Sequence, residues 1–424
     1  MRMNVYFSGI GGVGIGPLAE IARDAGHTIM GSDVVEGLVT KELREQGVSV
    51  NIGQDGAFLK ASHEATPLDW FVYTAALPET HPELVLAKIL GIRTAKRDEF
   101  LADFIKTHNL KLIAVTGTHG KTTTTGMTVW AFKQRGIPVS YSIGTTVGFG
   151  PSGKYDPESE YFVYECDEYD RNFLHFNPNI SLITSVDYDH PDTYPTESGY
   201  FEAFSQFIEQ SKVVICWKKD FEKIDAQKYG IVHMADQDTR DLSFIQLAGL
   251  HNRQNAYLVF SLFVDYLGAK GEEEEIAKIL STFPGTDRRF ERLADNIYSD
   301  YGHHPEEIAA TLQMARELSN DVVLVYQPHQ NWRQHSIREQ YTNQFEAANK
   351  VYWTSTYLTR ENPDYTILSP QELTVNITNK DAIAYSELDD TLWSKIIEAR
   401  NNGSLILFMG AGTIDSWVRK KLNV

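Results

Sequence analysis

Two glycine-rich turns constrain this chain more than any other feature, because each is entered from an apolar strand-forming run and left through a helix-forming one. The first is Gly9-Ile10-Gly11-Gly12-Val13-Gly14 after NVYFS, and the second is Gly117-Thr118-His119-Gly120-Lys121-Thr122 after KLIAVT. A strand feeding a helix through a tight glycine turn begins a βαβ unit, and strand-like and helical runs alternate almost from end to end. The fold class is therefore α/β with parallel sheets. In the first unit a helix is expected over 13–24, followed by the strand TIMGSD. In the second, the helix KTTTTGMTVWAFKQRG is followed by strands at YFVYEC, ISLITSV and KVVICW. A third series follows Phe283-Pro284-Gly285, a plausible hinge. It reads strand NIYSDYG, helix HPEEIAATLQMAREL, strand DVVLVYQPH, helix IREQYTNQFEAANK and strand VYWTST, closing with SLILFMGAG and a last helix. The acidic run at 272–275 is expected as the first turn of a helix, where the macrodipole favours it.

Three domains are expected from a chain of 424 residues, at 1–105, 106–285 and 286–424. The net charge of −18 opposes a nucleic-acid partner, which needs clustered Lys and Arg for the phosphate backbone. No apolar run approaches the roughly 20 residues that span a bilayer, and the N-terminus lacks the pattern of a signal peptide. Only Cys166 and Cys216 are present, so no disulfide framework is expected. These features imply a cytoplasmic protein with no membrane partner.

The second glycine turn carries the strongest chemistry. Its glycines let backbone amides at a helix N-terminus face phosphate oxygens, Lys121 adds a mobile positive charge, and Thr122 is placed to ligate magnesium. Val115 stands where the usual GxxxxGK[ST] has its first glycine, so the loop is shortened. A chance Gly-Lys-Thr turn is the bland alternative, against which the strand-loop-helix setting weighs. Glu165-Cys166-Asp167-Glu168 and Asp189-His190-Pro191-Asp192 each follow an apolar strand; alone, either is more often a solvated loop, and His190 more often an ordinary hydrogen-bonded histidine. Gly249-Leu250-His251-Asn252-Arg253-Gln254-Asn255-Ala256 offers amides that can donate to and accept from base edges, or an Asn cap at a helix start. The first turn contains GxGxxG, which by itself more often signals NAD or FAD, and Asp33 ends the second strand where a ribose-binding acid would stand.

Taken together, TGTHGKTTTT, ECDE, DHPD, HNRQNA, Arg288-Arg289-Phe290, DYGHHP and QPH resemble the Mur ligases, in the same order along nearly the whole chain. The resemblance implies an N-terminal Rossmann-like domain, a central P-loop ATPase domain and a C-terminal Rossmann-like domain, using ATP and Mg2+. It implies that Gly117, Thr118, His119, Gly120, Lys121, Thr122 and Thr123 hold the ATP phosphates. Thr122, Glu165 and His190 would hold magnesium, and His251, Asn252 and Asn255 would lie beside the adenine. Arg289 would reach the γ-phosphate on domain closure, and Asp300 would lie near the ribose. Gly9, Gly11, Gly12, Val13 and Gly14 would cradle the pyrophosphate of a UDP-sugar, with Asp33 and Thr40 near the uridine and Thr74, Ala75 and Ala76 closing over it. DYGHHP and QPH resemble the branch that joins L-alanine to UDP-N-acetylmuramate, in which Tyr301, His303 and Arg333 line the amino-acid pocket. Lys121, Glu165, His190 and Arg289 are the expected catalytic set, in a monomer or homodimer.

Several positions depart from that branch. Tyr169 and Arg171 replace the usual Ser and Gly, and EYD is closer to the tripeptide ligase of cell-wall recycling. Gln330, Asn331 and Trp332 stand for Arg-Tyr-Thr, Ser185 stands for a common Asn, and the stretch between Trp217 and Leu247 is short. The added amine is read as L-alanine, with the recycling tripeptide as the alternative, against which DYGHHP and QPH weigh. Rivals of other classes are a nicotinamide-dependent oxidoreductase, which leaves GTHGKTT unexplained, and a P-loop switch or motor, which leaves the first glycine turn unexplained.

Overall fold

The structure, a computed structural model, describes residues 2–74, 77–224, 231–236, 239–359 and 361–424. It falls into two compact units, Met1–Asp241 with Asn255–Phe283, and Leu242–Gln254 with Pro284–Val424. The first unit holds two sheets and the second holds one.

The first sheet contains β1 (Asn4–Ser8), β2 (Thr28–Asp33), β3 (Ser49–Ile52), β4 (Trp70–Tyr73) and β5 (Arg93–Lys96) in the order β3-β2-β1-β4-β5. Its described pairings are parallel. The second contains β6 (Lys111–Thr116), β7 (Val139–Ser142), β8 (Gly153–Lys154), β9 (Tyr161–Glu165), β10 (Ile180–Ile183), β11 (Val213–Trp217) and β12 (Ile231–Ala235), ordered β12-β11-β10-β6-β9-β7-β8. Only its β7–β8 pairing is antiparallel among the described residues. In the second unit, β13 (Glu291–Ala294), β14 (Ile297–Asp300), β15 (Val322–Tyr326), β16 (Lys350–Trp353), β17 (Ile383–Tyr385) and β18 (Leu405–Met409) run β13-β14-β18-β15-β16-β17.

Central strands such as β10, β15 and β18 are buried along their whole length, as continuous apolar runs covered on both faces must be. The strand order reverses at β1 in the first sheet and at β6 in the second. Crevices outside the carboxyl ends of strands form at such switch points, and both glycine turns lie there.

Three local expectations are corrected or sharpened. The first helix is Gly16–Asp24, three residues later than expected. Residues 9–15 are instead used in turns, with Gly12 N–H donating to Gly9 C=O at 3.0 Å and Ile15 N–H to Gly12 C=O at 3.0 Å. The helix expected over IREQYTNQFEAANK is displaced: the α-helix is Asn331–Ile337, a 3-10 turn covers Arg338–Tyr341, and turns follow. Carbonyls there are claimed from outside, since Asn379 Nδ2 donates to Phe345 O at 3.1 Å and Ala348 O at 3.0 Å. The acidic run does open a helix, Glu273–Ser281. No helix among the described residues is long and apolar enough to cross a membrane.

Beneath the first switch point lies a buried carboxylate, Glu83. It accepts from Tyr6 Oη, Ser8 Oγ and Ser32 Oγ, each at 2.7 Å, and Gln54 Nε2 reaches the same two serines at 3.0 and 3.2 Å. The Ser32 carbonyl in turn accepts from Gly9 N at 2.8 Å and Ile10 N at 3.0 Å, so Glu83 braces the residue that anchors the glycine turn. Removing one acceptor that serves three buried hydroxyls leaves them unsatisfied. Glu83→Ala is expected to destabilise the first unit by roughly 3 kcal/mol or more, and Glu83→Gln by less, since the amide keeps one acceptor oxygen. Urea unfolding measures both, and a Glu83→Ala chain as stable as the parent would contradict the bracing role.

Candidate functional site

At the end of β6 the backbone turns through Gly117, at φ +132°, and Gly120, at φ +82°. A β-carbon on Gly117 would lie 2.7 Å from Ser185 O, and one on Gly120 would lie 2.8 Å from Asn255 Oδ1. Both glycines are thus required by backbone angle and by close approach. The turn is fastened to the segment after β10: Thr118 N donates to Ser185 O at 3.0 Å, His119 N to Ser185 Oγ at 2.9 Å, and Thr118 Oγ1 to Asp187 O at 2.8 Å. Ser185, one of the departures noted in the sequence, is therefore a fastening point of the loop. Thr123 is half-buried on the first turn of the helix Lys121–Gln134.

Lys121 is folded back into this loop. Its Nζ donates to Gly117 O at 2.7 Å and to Glu168 at 2.8 and 3.0 Å. Burial opposes the charge on Lys121, but Glu168 and its acidic neighbours outweigh it and raise the ammonium above its ordinary range. Burial alone would raise Glu168, yet Lys121 and His190 hold it below the usual carboxylate range. His190, at φ +57°, places Nε2 3.6 Å from Glu168 Oε1. Burial lowers its affinity for a proton, and Glu168 together with Asp189 more than restores it.

Thr122 Oγ1 donates to Glu165 Oε1 at 2.7 Å, and Gly144 N to Glu165 Oε2 at 2.8 Å. Two oxygen donors thus meet at the first turn of the phosphate-loop helix. Among the described residues no group of three or more His, Cys, Asp or Glu could by itself cage a metal. Such an incomplete oxygen site suits magnesium, which keeps waters and phosphate oxygens among its ligands. The structure brings Lys121, Thr122, Glu165 and His190 to one end of the second sheet, with Asn255 against Gly120. Glu168, the partner shared by Lys121 and His190, had no assigned role in the sequence. Nothing in ECDE distinguishes its two glutamates until β9 is seen to end at Glu165.

In the first sheet, Gly9 turns at φ +81° and Gly11 N donates to Asp33 Oδ2 at 2.9 Å. A β-carbon on Gly11 would meet Thr40 Cγ2 at 2.7 Å and Asp33 Oδ2 at 3.0 Å. Gly12 lies over Gly9, and Val13 is exposed. Asp33 and Thr40 are thus gathered at the turn, Thr40 also pairing with Gly37 N at 2.9 Å. Thr74 follows β4 directly, and Ala75 and Ala76 lie outside the described residues.

The second unit carries the remaining expected residues. His251 and Asn252 belong to it, whereas Asn255 belongs to the first unit. Asn252 is inside the helix Leu250–Ser261 rather than capping it, and its Nδ2 reaches back to Ala248 O at 3.1 Å. Asp300, at the end of β14, accepts from Gly302 N at 2.6 Å and Phe290 N at 2.8 Å. The Arg289 guanidinium lies 5.3 Å from the Tyr301 ring centre and 3.7 Å from Glu307. His303 faces His329 at 5.5 Å between ring centres, and His329 stacks on Tyr357 at 5.8 Å. Arg333 lies on the short helix after β15, and its charge bears on His303. The departing residues are structural here: Asn331 Nδ2 donates to Thr366 O at 3.0 Å and its Oδ1 accepts from Leu368 N at 2.8 Å.

Gly117→Ala is expected to abolish ATP-analogue binding while leaving the circular-dichroism spectrum near native; retained binding would show that the loop tolerates a β-carbon. A pH dependence also follows. Burial pushes His251 down to about 4 and His303 down to about 3, whereas unfolded imidazoles titrate near 6.5. Below that pH the unfolded chain binds protons that the folded one refuses, so this contribution to stability is lost as pH falls from about 6.5 toward those values. Asp300, pushed up to about 6 by burial, has the opposite sign and adds stability as pH falls from about 6 toward 4. His251→Asn is expected to make the urea midpoint of the second unit less sensitive to acidification between pH 7 and 5. An unchanged slope would show that His251 is not held neutral.

Three family models match the chain in order: Mur ligase family, catalytic domain, over residues 4–109; Mur ligase middle domain over 115–242; and Mur ligase, glutamate ligase domain, over 288–412. The UDP-N-acetylmuramate--L-alanine ligase of Caldicellulosiruptor saccharolyticus is 30% identical over 98% of this chain and 98% of its own length. The enzyme of that description from a Nocardioides species is 31% identical over 97% and 93%. In fold, the chain is similar to UDP-N-acetylmuramate-alanine ligase from Thermotoga maritima, with a TM-score of 0.76 at 24% identity over 100% and 99% of the two chains. It is also similar to a murein peptide ligase from Psychrobacter arcticus, with a TM-score of 0.66 at 22% identity over 99% and 98%. Near-complete coverage by these relatives, with three matched domains in their order, means that the chain belongs to the Mur ligase family and is an ATP-using ligase.

Proposed function

We propose that this chain joins L-alanine to the carboxylate of UDP-N-acetylmuramate in peptidoglycan precursor synthesis, in the cytoplasm, with domains at 1–105, 106–285 and 286–424. The observation that most supports this reading is the pair of glycine turns at the switch points of two sheets, one carrying Lys121 and the other carrying none. A phosphate-transferring site and a separate nucleotide-sugar site account for both. The carboxylate takes the terminal phosphoryl group of ATP and becomes an acyl phosphate, which the amine attacks with loss of phosphate.

Lys121 leaves its ring of Gly117 O and Glu168 to neutralise charge on the transferring group, which is the main task of a protein in phosphoryl transfer. Glu168 keeps that ammonium charged and orients His190. Thr122 and Glu165 would hold a magnesium ion, with His190 as ligand for a second. Bound magnesium supplies charge neutralisation at the phosphate oxygens. On the second unit, Arg289 is assigned as a further cation for the phosphoryl group, and Tyr301, His303 and Arg333 as the amine pocket. His303 is held neutral by burial, so it can accept a hydrogen bond from an ammonium group without repelling it.

Tyr169 favours a second reading, joining of a ready-made tripeptide. Its ring packs 5.1 Å from His190 and its hydroxyl donates to Asp192 at 3.1 Å, so the departing residue stands beside the expected acceptor site. Phosphate release from ATP and magnesium with UDP-N-acetylmuramate, run with L-alanine, L-serine, glycine or the recycling tripeptide and with mass detection of product, separates the two. Strong L-alanine dependence is expected, and Lys121→Met is expected to lower kcat by about a thousandfold or more. Turnover with tripeptide alone would move the chain to recycling, and no sugar-dependent turnover with any amine would end the ligase reading for these substrates.

A further inference from the structure

The first glycine turn has no positive charge of its own. Residues 8–16, SGIGGVGIG, contain no ionisable side chain, and the nearest assigned partner, Asp33, brings a carboxylate to the Gly11 amide. Backbone amides can solvate a pyrophosphate, but its charges in a partly buried crevice call for a cation as well.

Arg97 meets that need. It opens the helix Arg97–Thr107 immediately after β5, and a β-carbon on Gly14 would lie 2.8 Å from its Nη1 and 3.8 Å from its Cζ. Its Nε donates to Asp98 Oδ2 at 3.2 Å, and no partner stands within hydrogen-bond reach of Nη1 or Nη2 among the described residues. The side chain is a quarter exposed. Asp98 is itself buried and receives the Tyr164 hydroxyl from β9. A cation kept for structure alone would have its donors spent, whereas this one presents two parallel donors beside a glycine turn. That planar fork matches phosphate oxygens bidentately, as an ammonium cannot.

We propose that Arg97 binds the pyrophosphate of the nucleotide-sugar substrate at the first glycine turn, positioned by Asp98 and Tyr164. The assignment rests on the nucleotide-sugar reading of that turn. It also ties the two sites of the first unit together, because β9 supplies both the Tyr164 anchor and, at its end, Glu165.

Calorimetric titration of the whole chain with UDP and with UMP tests this, with the phosphate loop kept filled by saturating magnesium and a non-hydrolysable ATP analogue. The unaltered chain is expected to bind UDP more tightly than UMP. Arg97→Met is expected to weaken UDP binding by about ten- to a hundredfold and to erase the preference over UMP, with Arg97→Lys in between. Affinity for the ATP analogue, measured separately, is expected to stay within about twofold in both variants, reporting an intact fold. UDP binding by Arg97→Met equal to that of the parent would overturn the assignment alone. Loss of ATP-analogue affinity in both variants would make Arg97 a structural residue and overturn it too. Failure of the unaltered chain to bind UDP would overturn the nucleotide-sugar reading and the assignment with it.

Discussion

Lys121 is a cation taken largely out of water, and the strand ends of the second sheet are arranged around keeping it charged. Burying an ammonium without a partner is costly enough to neutralise it. Glu168, fully buried in turn, is a partner that only a nearby cation makes tolerable. The two therefore require each other, and breaking either leaves an uncompensated charge in the interior. This mutual requirement fixes β9 against β6, since Lys121 follows one strand and Glu168 the other. It also places Thr122 against Glu165, three residues before Glu168.

Both glycine turns of the first unit are then one solution applied twice. In each sheet the order reverses at the strand that feeds the turn, opening a crevice at its carboxyl end. They differ in how charge is supplied. The ATP turn carries Lys121 in its own sequence, whereas the first turn carries no cation and takes Arg97 from the helix after β5, its backbone being fixed by Asp33, which accepts from the Gly11 amide, and by Glu83, which braces Ser32. Local sequence therefore suffices to name the cation of the ATP turn, while that of the first turn needs the fold.

That distinction explains what was legible in the sequence. Gly117, Gly120 and Lys121 could be read because a positive φ and a mobile cation are local demands of the loop. Glu168 and Arg97 could not, because their roles depend on strand ends and helix starts far apart in the chain meeting at one point. Ser185 was read only as a departure, yet its hydroxyl and carbonyl hold the loop at His119 N and Thr118 N. The helix misplaced over 337–350 has the same cause. Its pattern is helical, but Asn379, 34 and 31 residues downstream of Phe345 and Ala348, takes their carbonyls, and no local periodicity encodes that competition. The α/β class and the three sheets were legible because continuous apolar runs and glycine turns repeat along the chain.

The departures at Gln330, Asn331 and Trp332 follow a consistent logic in the second unit. Gln330 adopts a φ of +59°, uncommon for a non-glycine residue and a place where surrounding bonds must hold the backbone. The Glu361 carboxylate supplies them, accepting from Asn331 N at 3.0 Å and Trp332 N at 3.1 Å, while the Asn331 side chain fastens Thr366 and Leu368. The amine pocket expected from His303 and Arg333 is thus framed by a loop bound to the start of the helix that bears Arg333. Replacing the family's Arg-Tyr-Thr exchanges a cation and a hydroxyl-bearing ring for residues that hold this loop.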